Sequence, residues 1–280
     1  MLSHLPSEWG ALLALVFVLG LRHGIDADHI ATIDALTRLR SSSGRRSTRW
    51  CGALFALGHG SAVMLIVGGV TLASRGWQAP SWLAPLGAWV SISMLAALGL
   101  ANLRAAVNAA PGEVVRLCGF RGRMLERLQC AGHPAAAAGV GALFAVSFDT
   151  VSLAILFALS GSAAGGAGHA LVLGAVFGAG MLLTDGANGW WLARLLQASG
   201  QAAVRASRFT ATVVALVSLT VAALGVARFA WPAADAWVKG TGPWLGAALL
   251  VLVLGSSSAL LWRARERGRG RSACEHALAA

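Results

Sequence analysis

The sequence predicts an all-α fold, a polytopic membrane helix bundle of about seven transmembrane helices. Three observations predict it. The 280-residue chain is 57% hydrophobic and only 12% charged, whereas soluble domains carry about a quarter charged residues. Apolar stretches recur at 9–36, 50–74, 82–104, 136–160, 168–193, 208–230 and 243–262, and a helix needs about 20 apolar residues to cross a bilayer. The basic residues fall almost entirely in alternate loops.

That charge pattern sets an expected orientation. Of the 22 Lys and Arg residues, 18 fall after the first, third and fifth spans or in the C-terminal tail, among them Arg38, Arg40, Arg49, Arg104, Arg194, Arg205 and Arg208. Only Arg75, Arg228 and Lys239 fall on the opposite side, with Arg22 inside a span. Positive residues collect on the cytoplasmic side, so the N-terminus is expected in the periplasm and the C-terminus in the cytoplasm. An odd number of spans satisfies that parity. The net charge of +11 then marks membrane topology and needs no nucleic-acid partner.

Other features agree. Trp9, Trp77, Trp82, Trp231, Trp237 and Trp244 fall near expected outer ends, and Trp50, Trp190, Trp191 and Trp262 near inner ends, as an interfacial belt requires. The 35 glycines suit close helix packing. Cys51, Cys118, Cys130 and Cys274 show no CxxC spacing and imply neither a disulfide framework nor a zinc cage. The first apolar run does not read as a cleaved signal, because no basic residue precedes it and a polar cluster follows. The chain reads as one transporter domain over 1–280, with a cytoplasmic loop at 105–135 and a basic cytoplasmic tail at 263–280. Within the loop, 112–130 could form a basic amphipathic helix on the membrane surface.

Ionisable groups within spans are costly and point to function. The first span reads Arg22-His23-Gly24-Ile25-Asp26-Ala27-Asp28-His29, with Asp34 beyond it. The second carries His59 and Ser61, the fourth Asp149 and Thr150, the fifth Thr184, Asp185 and Asn188. On a straight helix His23, Asp26 and His29 cover about 120° of one face and Asp28 points away. A distortion near Gly24 would bring Asp28 in. Counted from the span ends, these groups share the middle to inner half of the bilayer. Imidazole with carboxylate and no thiolate suits a borderline divalent metal such as Ni, Co or Zn.

The same residues carry a family resemblance. Arg22-His23-Gly24-Ile25-Asp26-Ala27-Asp28-His29-Ile30 resembles the nickel/cobalt transporter (NiCoT) signature RHAxDADHI, with the HX4DH core at His23, Asp28 and His29. Leu57-Gly58-His59-Gly60-Ser61 resembles its LGHS motif, Phe148-Asp149-Thr150 its GFDTATE motif, and Gly180 to Asp185 its GMxLxD segment. The chain departs from the family at Gly24 in place of Ala, at Val151 and Ser152 where the acidic end of FDTATE is missing, and at Gly186 and Asn188 in the fourth motif, so it resembles a divergent branch. Many members have an eighth span ahead of the signature helix, which this chain is expected to lack. The resemblance implies a single-polypeptide permease taking Ni²⁺ or Co²⁺ inward across the bacterial inner membrane, with the metal as substrate and no prosthetic group.

The expected mechanism follows. His23, Asp26 and His29, with Asp28, form the principal site, while His59, Asp149 and Asp185 complete the shell or orient its ligands. Arg22 pairs with one of the aspartates. Ser61, Thr150, Thr184 and Asn188 support the site. Spans one to three (9–104) and four to six (136–230) read as a three-helix unit repeated in inverted orientation. The membrane potential can drive a divalent ion inward without ATP, and the chain has no GxxxxGK[ST] motif. A metal efflux permease of related fold and an intramembrane His/Asp metallo-enzyme are the alternatives. A retinal photoreceptor is excluded, because the sole lysine, Lys239, sits in an outer loop.

Overall fold

A computed structural model describes residues 8–42, 46–73, 82–115, 134–197 and 201–231, with 251 and 255. Its helices are α1 (Trp9–His23), α2 (Ala27–Ser42), a 3-10 turn (Arg46–Trp50), α3 (Cys51–Leu72), α4 (Leu83–Asn108), α5 (Pro134–Phe144), α6 (Phe148–Gly165), α7 (Ala167–Gln197) and α8 (Gln201–Ala230). Helices α3, α4, α7 and α8 are each long and apolar enough to cross a bilayer. The α1–α2 pair is bent by 54°, and α5 and α6 are shorter apolar helices. The chain is a multi-pass helical membrane bundle whose outer surface is apolar, with Leu65, Leu72 and Trp82 among its exposed side chains. The seventh expected span, 243–262, lies outside the described residues apart from Val251 and Gly255, as do the tail, most of the 105–135 loop, and Cys118, Cys130 and Cys274.

The first and fourth expected spans are each broken rather than continuous. Helix α1 stops because Ile25 N–H bonds back to Arg22 O and Asp26 N–H to His23 O, a tight turn that tips the chain before Ile30 N–H bonds Asp26 O and α2 begins. The same bonds recur 121 residues later. Val146 N–H bonds Leu143 O, Ser147 N–H bonds Phe144 O, and Val151 N–H bonds Ser147 O. Such breaks are tolerated at membrane depth only where protein covers the freed backbone groups.

Glycine brings the helix backbones together around these breaks. A Cβ on Gly20 of α1 would strike the Phe177 carbonyl of α7, and one on Gly180 the Phe17 carbonyl. In the other half, Gly141 of α5 meets the Phe55 carbonyl of α3, and Gly58 meets Ala138. These crossings correspond to each other at nearly the same 121-residue offset. Gly52 of α3 lies against Asp185 and Gly189 of α7, which joins the halves.

Contacts also fix direction. Trp9 stacks edge-on with His169 at 4.5 Å, Gly24 abuts Thr184, and Ile33 abuts Gly189, so α7 runs alongside α1 and α2. Helix α3 runs the other way, with Gly52 at Asp185 and Gly174 at Val67. Gly166, at φ 92°, turns the chain between α6 and α7, and Gly161 then packs on Ala170. The two broken helices therefore run in opposite directions. One end of the bundle gathers Arg38, Arg40, Arg49, Arg104, Arg194, Arg205 and Arg208, since α2, α4 and α7 end there and α3 and α8 begin there.

Arg38 corrects the sequence reading, which placed it in the loop after the first span and Asp34 inside that span. Helix α2 continues past both residues and buries them. Arg38 Nε and Nη2 donate to the two Asp34 oxygens at 2.7 and 3.1 Å. Its Nη1 donates to Val115 O (2.9 Å) and Ser207 Oγ (3.0 Å), and Nη2 also donates to Thr210 Oγ1 (2.8 Å). The bidentate pair and its further acceptors tie α2 to the segment after α4 and to the start of α8, satisfying a charge that would otherwise be costly to bury.

Candidate metal site

Three imidazoles meet where the first broken helix passes α3. His23 is the last residue of α1, His29 lies in the first turn of α2, and His59 lies in the middle of α3. All three are buried, and one ligand nitrogen from each lies within 4.8 Å of the others. Ring centroids are 4.6 Å apart for His23 and His29, 5.3 Å for His23 and His59, and 4.9 Å for His29 and His59.

The break corrects the expected geometry. His23, Asp26 and His29 do not share the face of a straight helix; they flank a turn, and the turn folds the two histidine rings against each other. The chain is distorted at Gly24, where a Cβ would meet the Thr184 hydroxyl and crowd Asp185. The Asp28 carboxylate turns instead to the His29 backbone N–H, and the gathered ligand atoms are those of the three histidines.

Carboxylates orient the rings. His29 Nδ1 lies 3.1 Å from Asp185 Oδ2, with both side chains buried, so the carboxylate fixes the ring and leaves Nε2 for the cluster. His23 Nδ1 lies 3.4 Å from Asp26 Oδ2, a half-exposed carboxylate. Asp28 Oδ1 accepts the His29 backbone N–H at 2.9 Å and so adds negative charge to the start of α2, where the helix dipole favours it. The second broken helix contributes Thr150, whose Oγ1 lies 3.3 Å from both His23 Nε2 and His59 Nε2. Aromatic rings wall the cluster: Phe55 packs against His29 at 5.0 Å and Phe177 against His23 at 5.3 Å.

The remaining sequence candidates divide. Arg22 is exposed and forms no ion pair among the described residues, so its expected aspartate partner is not found. Ser61 is exposed and bonds Leu57 O within its own helix. Thr184 bonds Met181 O while its side chain lies beside Gly24. Asn188 is buried one turn along α7 from Asp185. The side chain of Asp149 lies outside the described residues. Sequence reasoning missed Phe55 and Phe177; Phe55 could have been found from its position four residues before His59, on the same helix face.

Imidazole nitrogens, two of the rings oriented by carboxylates, suit a borderline divalent transition metal, and nearby acidic groups offset its charge. Fold and site together define a multi-pass membrane protein with a candidate transition-metal site in its middle. The profile of the NicO family, described as high-affinity nickel-transport protein, matches residues 9–248. The chain belongs to that family. It is 35% identical over 207 residues to the hydrogenase nickel incorporation protein HupN of Bradyrhizobium diazoefficiens, covering 64% of this chain and 52% of that protein. It is 32% identical over 212 residues to the cobalt transport protein NhlF of Rhodococcus rhodochrous, covering 64% and 58%. It is likewise 32% identical over 204 residues to the nickel transporter NicT of Mycobacterium tuberculosis, covering 62% and 54%. The aligned region thus spans little more than half the length of these relatives. No solved structure matches the chain.

Proposed function

We propose that this protein is a secondary transporter that moves a divalent transition-metal cation, Ni²⁺ or Co²⁺, inward across a bacterial inner membrane. The observation that carries the reading is the buried cluster of His23, His29 and His59 beside the break in the first helix. Asp185 orients His29, and Asp26 and Asp28 supply negative charge. Asp149 is assigned to the same site from its motif. The metal is the substrate, and the reading requires no prosthetic group.

The NicO profile and the printed functions of the relatives support metal transport. The gathering of arginines at one end supports a cytoplasmic assignment for that end, which puts the N-terminus in the periplasm and the C-terminus in the cytoplasm. The recurrence of the same turn bonds and glycine crossings supports two inverted repeats, over 9–104 and 136–230, with the substrate between them. An inward-negative potential favours entry by about 2.3 kcal/mol per charge per 100 mV.

The test is uptake of radioactive Ni²⁺ or Co²⁺ into proteoliposomes, with and without an imposed potential. Wild type is expected to accumulate metal, and His23→Ala, His29→Ala and His59→Ala to lose uptake. Absence of divalent-metal flux in either direction would defeat the reading, and normal uptake by all three variants would defeat the site.

A further inference from the structure

Given metal transport as proposed above, Thr150 has a part in the transport cycle. Thr150 is fully buried in the first turn of α6, just past the second break. Its Oγ1 lies 3.3 Å from His23 Nε2, 3.3 Å from His59 Nε2 and 2.9 Å from Ser147 Oγ. By the 121-residue offset, its counterpart at the first break is His29. One break therefore brings an imidazole to the cluster, and the other brings a hydroxyl.

His23 Nδ1 is engaged by Asp26, so Nε2 is the nitrogen it presents to the cluster. His59 presents its Nε2 to the same hydroxyl. An imidazole nitrogen has one in-plane site, which holds a proton, accepts one, or binds a metal. Metal bound through Nε2 of both rings therefore excludes both hydrogen bonds to Thr150. The hydroxyl is left with Ser147, a residue of its own helix break.

We propose that Thr150 is a positioning residue that couples occupancy of the metal site to the second broken helix. With the site empty, the hydroxyl ties the start of α6 to α1 through His23 and to α3 through His59. Ligation through Nε2 of His23 and His59 severs both ties at once, and the start of α6 is released only when substrate is aboard. Two hydrogen bonds are enough to bias a two-state element by a factor of about ten or more.

The test compares Thr150→Val, which keeps the branched shape and deletes the hydroxyl, with Thr150→Ser, which retains it. In the full-length protein in detergent, Co²⁺ binding is measured by calorimetry and by the d–d absorption band; in proteoliposomes, Co²⁺ uptake is measured over a range of concentrations. Thr150→Val is expected to bind Co²⁺ at least as tightly as wild type with an unchanged band, yet to lose about tenfold in maximal uptake rate. Thr150→Ser is expected to keep both. Weaker binding or a shifted band in Thr150→Val would overturn the proposal by making Thr150 a ligand, and uptake at the wild-type rate would overturn it by showing that the ties are unused. If Thr150→Val does not fold, Thr150→Ala is judged by the same outcomes. A wild-type protein that binds and moves no Co²⁺ or Ni²⁺ would instead defeat the transport reading itself.

Discussion

His29 Nδ1 and Asp185 Oδ2 stand 3.1 Å apart although 156 residues separate them in sequence, and both side chains are buried. The contact joins the first turn of α2 to α7 and sets which nitrogen of His29 faces the cluster. Asp185→Asn preserves size but removes the charge that holds the ring. Because partners of ligating histidines are typically worth 10- to 100-fold in metal affinity, a loss of about that size is predicted. Calorimetric titration of the purified protein with Ni²⁺ measures it, and an unchanged affinity would reduce this contact to packing.

Asp26 provides the contrast. Its carboxylate is 40% exposed and lies 3.4 Å from His23 Nδ1. Exposed pairs contribute about 0–1 kcal/mol, so Asp26→Asn is predicted to weaken metal binding by no more than about fivefold. The same titration checks the ranking, and Asp26→Asn must prove milder than Asp185→Asn.

The Arg38 network predicts a stability effect. Removing one partner of a buried pair strands the other, so Arg38→Met is expected to cost about 3–5 kcal/mol. Asp34→Leu combined with Arg38→Met removes both charges and should recover part of that loss. Ser207→Ala deletes one acceptor of Nη1 and should cost about 0.5–1.5 kcal/mol. Thermal unfolding in detergent ranks the three variants, and a double variant less stable than Arg38→Met would contradict the account.

Glycine crossings give a matched pair of substitutions. Gly20→Ala and Gly141→Ala would each drive a methyl into a facing carbonyl, at Phe177 and Phe55. Overpacking of this kind costs about 1–3 kcal/mol, visible as a lowered melting temperature. Gly10→Ala and Gly139→Ala have nothing within 4 Å of the added carbon and should be neutral or slightly stabilising. Equal behaviour of the two sets would show that the backbones do not approach as closely as described.

Much of this architecture was legible from local pattern. Apolar run length marks the helices of the first six spans, and a polar cluster inside an apolar run marks His23, His29, His59 and Asp185 as a site. The breaks were less legible. At the first, a distortion near Gly24 could be anticipated; at the second, Ala145, Val146 and Ser147 carry no proline or glycine. There the turn is held by surroundings distant in sequence, through Gly141 on the Phe55 carbonyl and Thr150 on two histidines. The roles of Arg38 and Asp34 were hidden for a related reason. A charge pattern assigns an arginine to a side of the membrane, and only the fold supplies the Val115, Ser207 and Thr210 acceptors that draw it inside.

The bare-backbone crossings also decide which parts of the molecule can change shape. Helix α1 is keyed to α7 by Gly20 and Gly180, α7 to α3 by Gly52, and α3 to α5 by Gly58 and Gly141. A joint with no side chain between its backbones has no slack, so neither helix can roll or slide without forcing a carbonyl into its neighbour. The four helices form a keel. Helix α6 is pinned to α7 at its far end, by Gly161 on the Ala170 backbone. Only its first turns beyond Ser147 and α2 beyond Gly24 are left without such a joint, and each begins at the metal cluster.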